Sequence, residues 1–181
     1  FEINTHVGAD LIVDEGGNDP GVYTKGHELL RPYQSSHQHA IVVLDCEWDG
    51  SPGKAAIEAH ITEQLVASGW ADGAVKVIAI DPELENWLWQ DKPQVAQALR
   101  YKGQPPLRQL LADTGWWPLD AAKPPRPKEA AQWVLRQTRQ PRSSAIYQQL
   151  AAQVSTRGCT DAAFGELHAT LQAWFAPEGT A

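Results

Sequence analysis

The sequence predicts an α/β fold, a parallel sheet flanked by helices, followed by a helical C-terminal half. Three observations carry this expectation. Two short apolar runs, Ala40–Leu44 and Val75–Ile80, each lead directly into an aspartate. Near-continuous runs of β-branched and aliphatic residues mark strands buried on both faces, as in parallel sheets. Between them Ile57, Ile61 and Leu65 recur at helical spacing, the pattern of an apolar helix stripe. From residue 93 the strand signals stop, and helical segments broken by proline follow.

Residues 1–8 alternate weakly and are expected to form a strand. Residues 9–20 hold a short apolar run that ends in turn residues. Residues 21–34 read as a helix closed at Arg31-Pro32. Residues 40–48 contain a buried strand. Ser51-Pro52 then opens a helix, with Ser51 as N-cap and proline in the first turn. Gly69 closes that helix. Residues 75–80 form the next strand, and residues 83–91 a short helix after Asp81-Pro82. The alternation of strand and helix is a βαβ layout with a parallel sheet. Further helices are expected at 93–101, 106–113, 127–138, 144–154 and 161–175. The domain reading is an α/β core over residues 1–91 and a helical extension over 92–181, packed on that core.

Composition narrows the function classes. The 181 residues are 43% hydrophobic and 20% charged, a globular balance. No apolar run reaches the ~18 residues a membrane span needs, so no membrane role is expected. Cys46 and Cys159 are the two cysteines. They cannot build a disulfide framework, and the expected compartment is reducing, hence cytoplasmic. The net charge of −7 divides unevenly. Residues 1–91 hold 16 acids and 4 bases, net −12, and residues 92–181 hold 6 acids and 11 bases, net +5. Six bases (Lys123, Arg126, Lys128, Arg136, Arg139 and Arg142) cluster with Glu129 as the one acid among them. An acidic half beside a basic patch suits a metal site next to a phosphate-contacting surface. It equally suits solvated helix faces of opposite sign.

The most informative stretch is Leu44-Asp45-Cys46-Glu47-Trp48-Asp49-Gly50. In a strand, side chains at i and i+2 share a face. If the strand runs to Glu47, Asp45 and Glu47 converge at its C-terminal end, where open α/β sheets bind ligands. Like charges that close repel unless a cation neutralises them. Hard carboxylate oxygens suit Mg²⁺ or Mn²⁺. The second strand runs into Asp81-Pro82-Glu83-Leu84-Glu85, so these acids are expected on the same sheet edge. The competing reading makes Asp81, Glu83 and Asp49 helix caps and first-turn acids.

These residues resemble the TOPRIM domain family, which carries an apolar strand followed by Asp-x-Asp-x-x-Gly. The counterpart here is Asp45-Cys46-Glu47-Trp48-Asp49-Gly50, with glutamate in the second acidic position. The chain is most similar to TOPRIM-related families of unknown function found beside ATPases in prokaryotic defence loci. It also resembles a component of the methylation-associated defence system. The shared order runs through Pro82, Glu85-Asn86-Trp87-Leu88, Pro127-Lys128, Tyr147, Arg157-Gly158-Cys159, Phe164 and Trp174. It covers about residues 38–175.

The resemblance implies a Mg²⁺-binding sheet and, in active members, cleavage of nucleic-acid phosphodiesters. Asp45 and Glu47 would hold the metal, with Glu85 or Asp81 as further ligand and Asp49 beside them. Asp45, Glu47 and Glu85 would be catalytic, acting through metal-assisted hydrolysis. Lys128, Arg126, Arg136, Arg139 and Arg142 would neutralise phosphates. Nucleic acid, a partner ATPase and other defence proteins are the implied partners. The family pattern also needs a glutamate on an earlier strand. Leu11-Ile12-Val13-Asp14-Glu15-Gly16, followed by Asp19, supplies one candidate in Glu15. Alternatively that strand precedes Phe1, since the chain contains no methionine and its start is expected to be processed or truncated. Two further classes remain open: a catalytically silent TOPRIM-like scaffold or sensor, and a small metal-dependent phosphoesterase.

The other motifs favour structural roles. His37 and His39 form an HxH pair for which spacing fixes no third ligand. Gly16-Gly17 lacks the following GK[ST] of a phosphate loop. Ser143-Ser144 has no suitably spaced histidine. The eight tryptophans are expected mainly in core packing, with Trp116-Trp117 as candidates for a groove. Cys46 alternates away from Asp45 and reads as a buried apolar residue.

Overall fold

A computed structural model describes residues 10–14, 18–154 and 158–175. The chain divides into two compact units. Pro82–Asp161 forms the second, and the remaining described residues form the first. The boundary thus falls directly after the β-strand that ends in Ile80, and the last helix belongs with the sheet.

The first unit is α/β. Helix α1 (Asn18–Leu30) runs into a 3₁₀ turn at Arg31–Tyr33. Strand β1 (Ala40–Asp45) pairs in parallel with β2 (Val75–Ile80), joined through α2 (Lys54–Ser68). Ala40 lies opposite Val75 and Asp45 opposite Ile80. The core follows from the side-chain period of two. Ala40, Val42, Leu44 and Cys46 share one face and cluster with Ile57, Ile61 and Leu65 of α2. The stripe read from the sequence is the buried stripe: these three α2 residues are 0%, 1% and 0% exposed. At β2 the last four residues are all buried, while β1 alternates and leaves Val43 exposed. That is the difference between a strand covered on both faces and one covered on one. Helix α8 (Ala162–Trp174) packs on β2. Glu166 of α8 accepts hydrogen bonds from Lys54 Nζ at 2.9 Å and Lys76 Nζ at 3.1 Å.

Two local expectations are corrected here. Ser51 does not cap α2. The helix starts at Lys54 after Gly53, whose φ of 87° no other residue adopts readily, and no side chain caps it. The Ser51 hydroxyl instead donates to the Cys46 carbonyl and accepts from Gly53 N–H, fixing the turn after β1. Residues 10–14 form no strand beyond an isolated bridge at Leu11, and Leu11 and Val13 are exposed. The strand expected over residues 1–8, and Glu15 with it, lie outside the described residues. At the other end of α2, Gly69 does close the helix, with φ of 117°.

The second unit is helical. It holds α3 (Glu85–Leu88), α4 (Pro93–Ala98), α5 (Leu107–Asp113), α6 (Pro127–Gln137) and α7 (Ser144–Gln153). Pro93 and Pro127 occupy first-turn positions, where the missing N–H costs nothing. The helix predicted over 83–91 shrinks to one turn, because Trp89 turns into the core and is fully buried. Its indole N–H donates to the Pro127 carbonyl at 2.9 Å, and its ring meets Trp117 edge-on at 5.7 Å. Leu99, Leu111, Val134, Leu135 and Leu150 complete this core. The Arg108 guanidinium lies 4.3 Å from the Trp117 ring centre and donates to the Trp117 and Pro118 carbonyls. Among the described residues, no helix is long and apolar enough to cross a membrane.

Candidate functional site

At the end of β1 the sheet ladder holds one residue past the strand, since Cys46 N–H donates to the Ile80 carbonyl at 2.8 Å. Asp45 is the last strand residue, and its N–H donates to Asp19 Oδ1 at 2.9 Å. Asp19 sits in the first turn of α1, so that helix is anchored to the strand end. The strand does not continue to Glu47. Glu47 and Asp49 lie in the exposed turn after it, and Asp81 is exposed after β2. The i, i+2 argument for Glu47 therefore lapses. Cys46 turns into the aliphatic core, and burial foremost pushes its thiol up to about 11. It is an inert core residue, as its position on the strand predicts.

In the second unit two glutamates are buried immediately after β2. Glu83 is 5% exposed and Glu85 1% exposed. Carboxylates rarely reach such burial without partners, and both have them. Glu83 accepts from the Lys128 backbone N–H at 2.8 Å and from Lys128 Nζ at 3.2 Å, one to each carboxylate oxygen. Burial raises the Glu83 pKa, and the bonds from Lys128 oppose that rise. Glu85 Oε1 accepts from Tyr147 OH at 2.6 Å and from Arg142 Nη2 at 2.7 Å. Burial, and then the hydrogen bond to Glu85, push the Tyr147 phenol up to about 12, so it stays a donor at neutral pH.

Lys123 completes the surroundings of α3. Its ammonium donates to the Asn86 and Trp89 carbonyls, which closes the end of that turn, and burial lowers its pKa. Asp161 accepts from Asn86 Nδ2 at 2.6 Å and Trp87 Nε1 at 2.8 Å.

Among the described residues, Glu83 and Glu85 are the buried acids, both in the second unit, and their carboxylates offer hard oxygens to a cation. Asp45 and Glu85 were expected as ligands. Glu83 has two readings in the sequence, an acid on the same sheet edge or a first-turn cap, and its burial is what marks it out. The five bases expected at phosphates divide. Lys128 and Arg142 engage Glu83 and Glu85. Arg126 stacks on Trp116, 5.1 Å from the ring centre. Arg136 and Arg139 are exposed.

The remaining candidates carry structure. His39 stacks on Trp174 at 4.3 Å, while His37 engages Ser36 and Asp10. A cleft of about 340 Å³ in the second unit is lined by Trp89, Tyr101, Leu111 and Trp117. Two of its polar side chains are engaged internally, for Tyr101 OH donates to the Pro105 carbonyl and Arg108 to two others. No family model matches the chain, and no curated protein sequence or solved structure shows significant similarity to it.

Proposed function

We propose that the chain is a Mg²⁺- or Mn²⁺-dependent TOPRIM-like nuclease component of a prokaryotic anti-phage system, working with a partner ATPase on nucleic-acid phosphodiesters. The observation that carries this reading is the pair of buried carboxylates Glu83 and Glu85 directly after β2, to which the sequence reading adds Asp45 at the end of β1. Chain connectivity supports it. Ile80 pairs with Asp45, and Glu83 follows Ile80 by three residues, no more than about 11 Å of chain. Asp45 ends its strand at the C-terminal edge of a parallel sheet, the ligand-binding edge of such folds, and Glu83 and Glu85 follow the end of the neighbouring strand along the chain.

The donor set fits the group. All three side chains offer hard oxygens, the ligands Mg²⁺ and Mn²⁺ prefer. When bound, the ion would supply Lewis-acid polarisation of a phosphate oxygen and a more acidic water. The chain's own residues do the rest. Lys128 and Arg142 place positive charge beside the buried acids, offsetting their mutual repulsion. Arg136 and Arg139 present exposed guanidinium groups suited to a phosphate backbone.

The test is a cleavage assay on single- and double-stranded DNA and RNA with Mg²⁺, Mn²⁺ or EDTA, comparing the unmodified chain with Asp45→Ala. Cleavage that needs the metal and disappears in Asp45→Ala is the expected result. Metal-dependent cleavage unchanged in Asp45→Ala would overturn the assignment.

One observation favours a second reading, a catalytically silent scaffold. Both oxygens of Glu83 already face Lys128, and Glu85 already faces Arg142. A chain that neutralises its own acids in this way needs no ion. Under this reading neither Mg²⁺ nor Mn²⁺ binds, and Asp45→Ala leaves the partner interaction intact.

A further inference from the structure

We propose that Arg142 and Tyr147 are positioning residues that fix the Glu85 carboxylate for metal ligation. The inference rests on the metal-binding reading of Glu85 given above, and it concerns residues that reading leaves outside the ligand set. The two donors reach Glu85 from far along the chain. Arg142 precedes α7, Tyr147 lies within it, and Glu85 opens α3.

Both bonds end on the same atom. Tyr147 OH donates to Glu85 Oε1 at 2.6 Å and Arg142 Nη2 to the same oxygen at 2.7 Å. Arg142 Nε lies 3.4 Å from the Tyr147 oxygen, which links the two donors to each other. A carboxylate oxygen has two lone pairs, and this pair of donors engages both. The carboxylate plane is therefore set, and Oε2 is the oxygen the pair does not take. A tether that served only to hold α7 to α3 would need one such bond to either oxygen. Two donors converging on one oxygen, with the other left, is how outer residues orient a ligand and raise its affinity for an ion.

Charge gives the inference a distinctive sign. Arg142 is a cation beside the acid. By electrostatics alone, removing it would tighten cation binding. If it positions the ligand, removing it weakens binding instead.

The experiment measures Mn²⁺ affinity of the full chain by calorimetry and by the electron-spin signal of free Mn²⁺, with no substrate present. Thermal midpoints are recorded alongside, and titrations are run well below them. The variants are Tyr147→Phe, Arg142→Lys, Arg142→Gln and, as a control at an exposed base of the same unit, Lys102→Ala. Tyr147→Phe and Arg142→Gln are expected to weaken Mn²⁺ binding on the order of 10-fold. Arg142→Lys should recover part of the loss, and Lys102→Ala should leave affinity unchanged. If Tyr147→Phe and Arg142→Gln keep affinity within twofold, or Arg142→Gln tightens it, the inference fails while metal binding by Glu85 stands. A lowered midpoint with unchanged affinity likewise overturns it and leaves a purely structural tether. If the unmodified chain binds no Mn²⁺, the metal reading itself fails and takes this inference with it.

Discussion

The two units are built on different cores. The first buries mainly aliphatic residues: Val42, Leu44, Ile57, Ile61, Leu65 and Val77 meet across one strand pair and one long helix, with Trp70 beside them. The second buries Trp89 and Trp117 among short helices. The difference shows in what holds each element in place. α2 is 15 residues long with a continuous apolar stripe, so burial of that stripe defines it. α3 is a single turn of four residues, too short to persist by its own hydrogen bonds. It is held by side chains from elsewhere in the unit: Lys123 on its last carbonyls, Asp161 on Asn86 and Trp87, Tyr147 and Arg142 on Glu85. One unit is organised by apolar burial along regular elements, with Glu166 tying α8 to Lys54 and Lys76. In the other, a one-turn helix beside a tryptophan core is itself held by long-range polar ties.

This comparison can be broken most directly through the cores. Trp89→Ala and Ile61→Ala are each expected to cost about 3–5 and 2–5 kcal/mol, respectively. Followed by calorimetry, each variant should lower the stability of its own unit first, so the two melts differ in shape. Identical single transitions, equally lowered, would show that the two cores unfold as one.

A smaller effect separates regular from tied elements. Gly69→Ala places a Cβ at a φ of 117°, 3.1 Å from Gln34 Oε1. The strained backbone is expected to cost about 1–2 kcal/mol, read as a lower urea midpoint. An unchanged midpoint would mean the α2 terminus relaxes freely.

The smallest effect is at Glu166. Its carboxyl pKa is lowered, first by the hydrogen bond from Lys54 and then by Lys76. A lowered folded pKa adds stability that is present above the ordinary glutamate range and lost as pH falls through the shifted value. Glu166→Gln should therefore flatten the acid limb of the stability curve and leave stability above neutral pH within about 1 kcal/mol of the original, as for exposed pairs. An unaltered acid limb would count against the tie between α8 and the sheet.

Much of the fold was legible in the sequence, and unevenly so. β1, β2 and α2 follow from run length and spacing, and the helices from residue 93 onward lie within a few residues of their predicted bounds. Three features escaped for physical reasons. The end of β1 at Asp45 depends on Ser51 bonding back to Cys46, a turn that composition does not announce. The shortening of α3 depends on Trp89 finding the Pro127 carbonyl 38 residues away. The burial of Glu83 depends on Lys128, 45 residues away. Local pattern sees neither partner. At the candidate site the acids were visible as residue types after two strands. Which of them are buried, and which bases face them, is decided by packing alone.

The uneven placement of tryptophan has an optical consequence. Of eight tryptophans, five (Trp87, Trp89, Trp116, Trp117 and Trp133) lie in the second unit. Trp89 and Trp117 sit edge-on at 5.7 Å, in fixed mutual orientation, each with its N–H bonded to a carbonyl. Such a pair is a built-in chromophore. Its near-ultraviolet dichroism and blue-shifted emission report on the helical unit, while the sheet unit is read through Trp48, Trp70 and Trp174. The intrinsic light of the chain is thus weighted toward the helical unit, whose unfolding can be followed without any label.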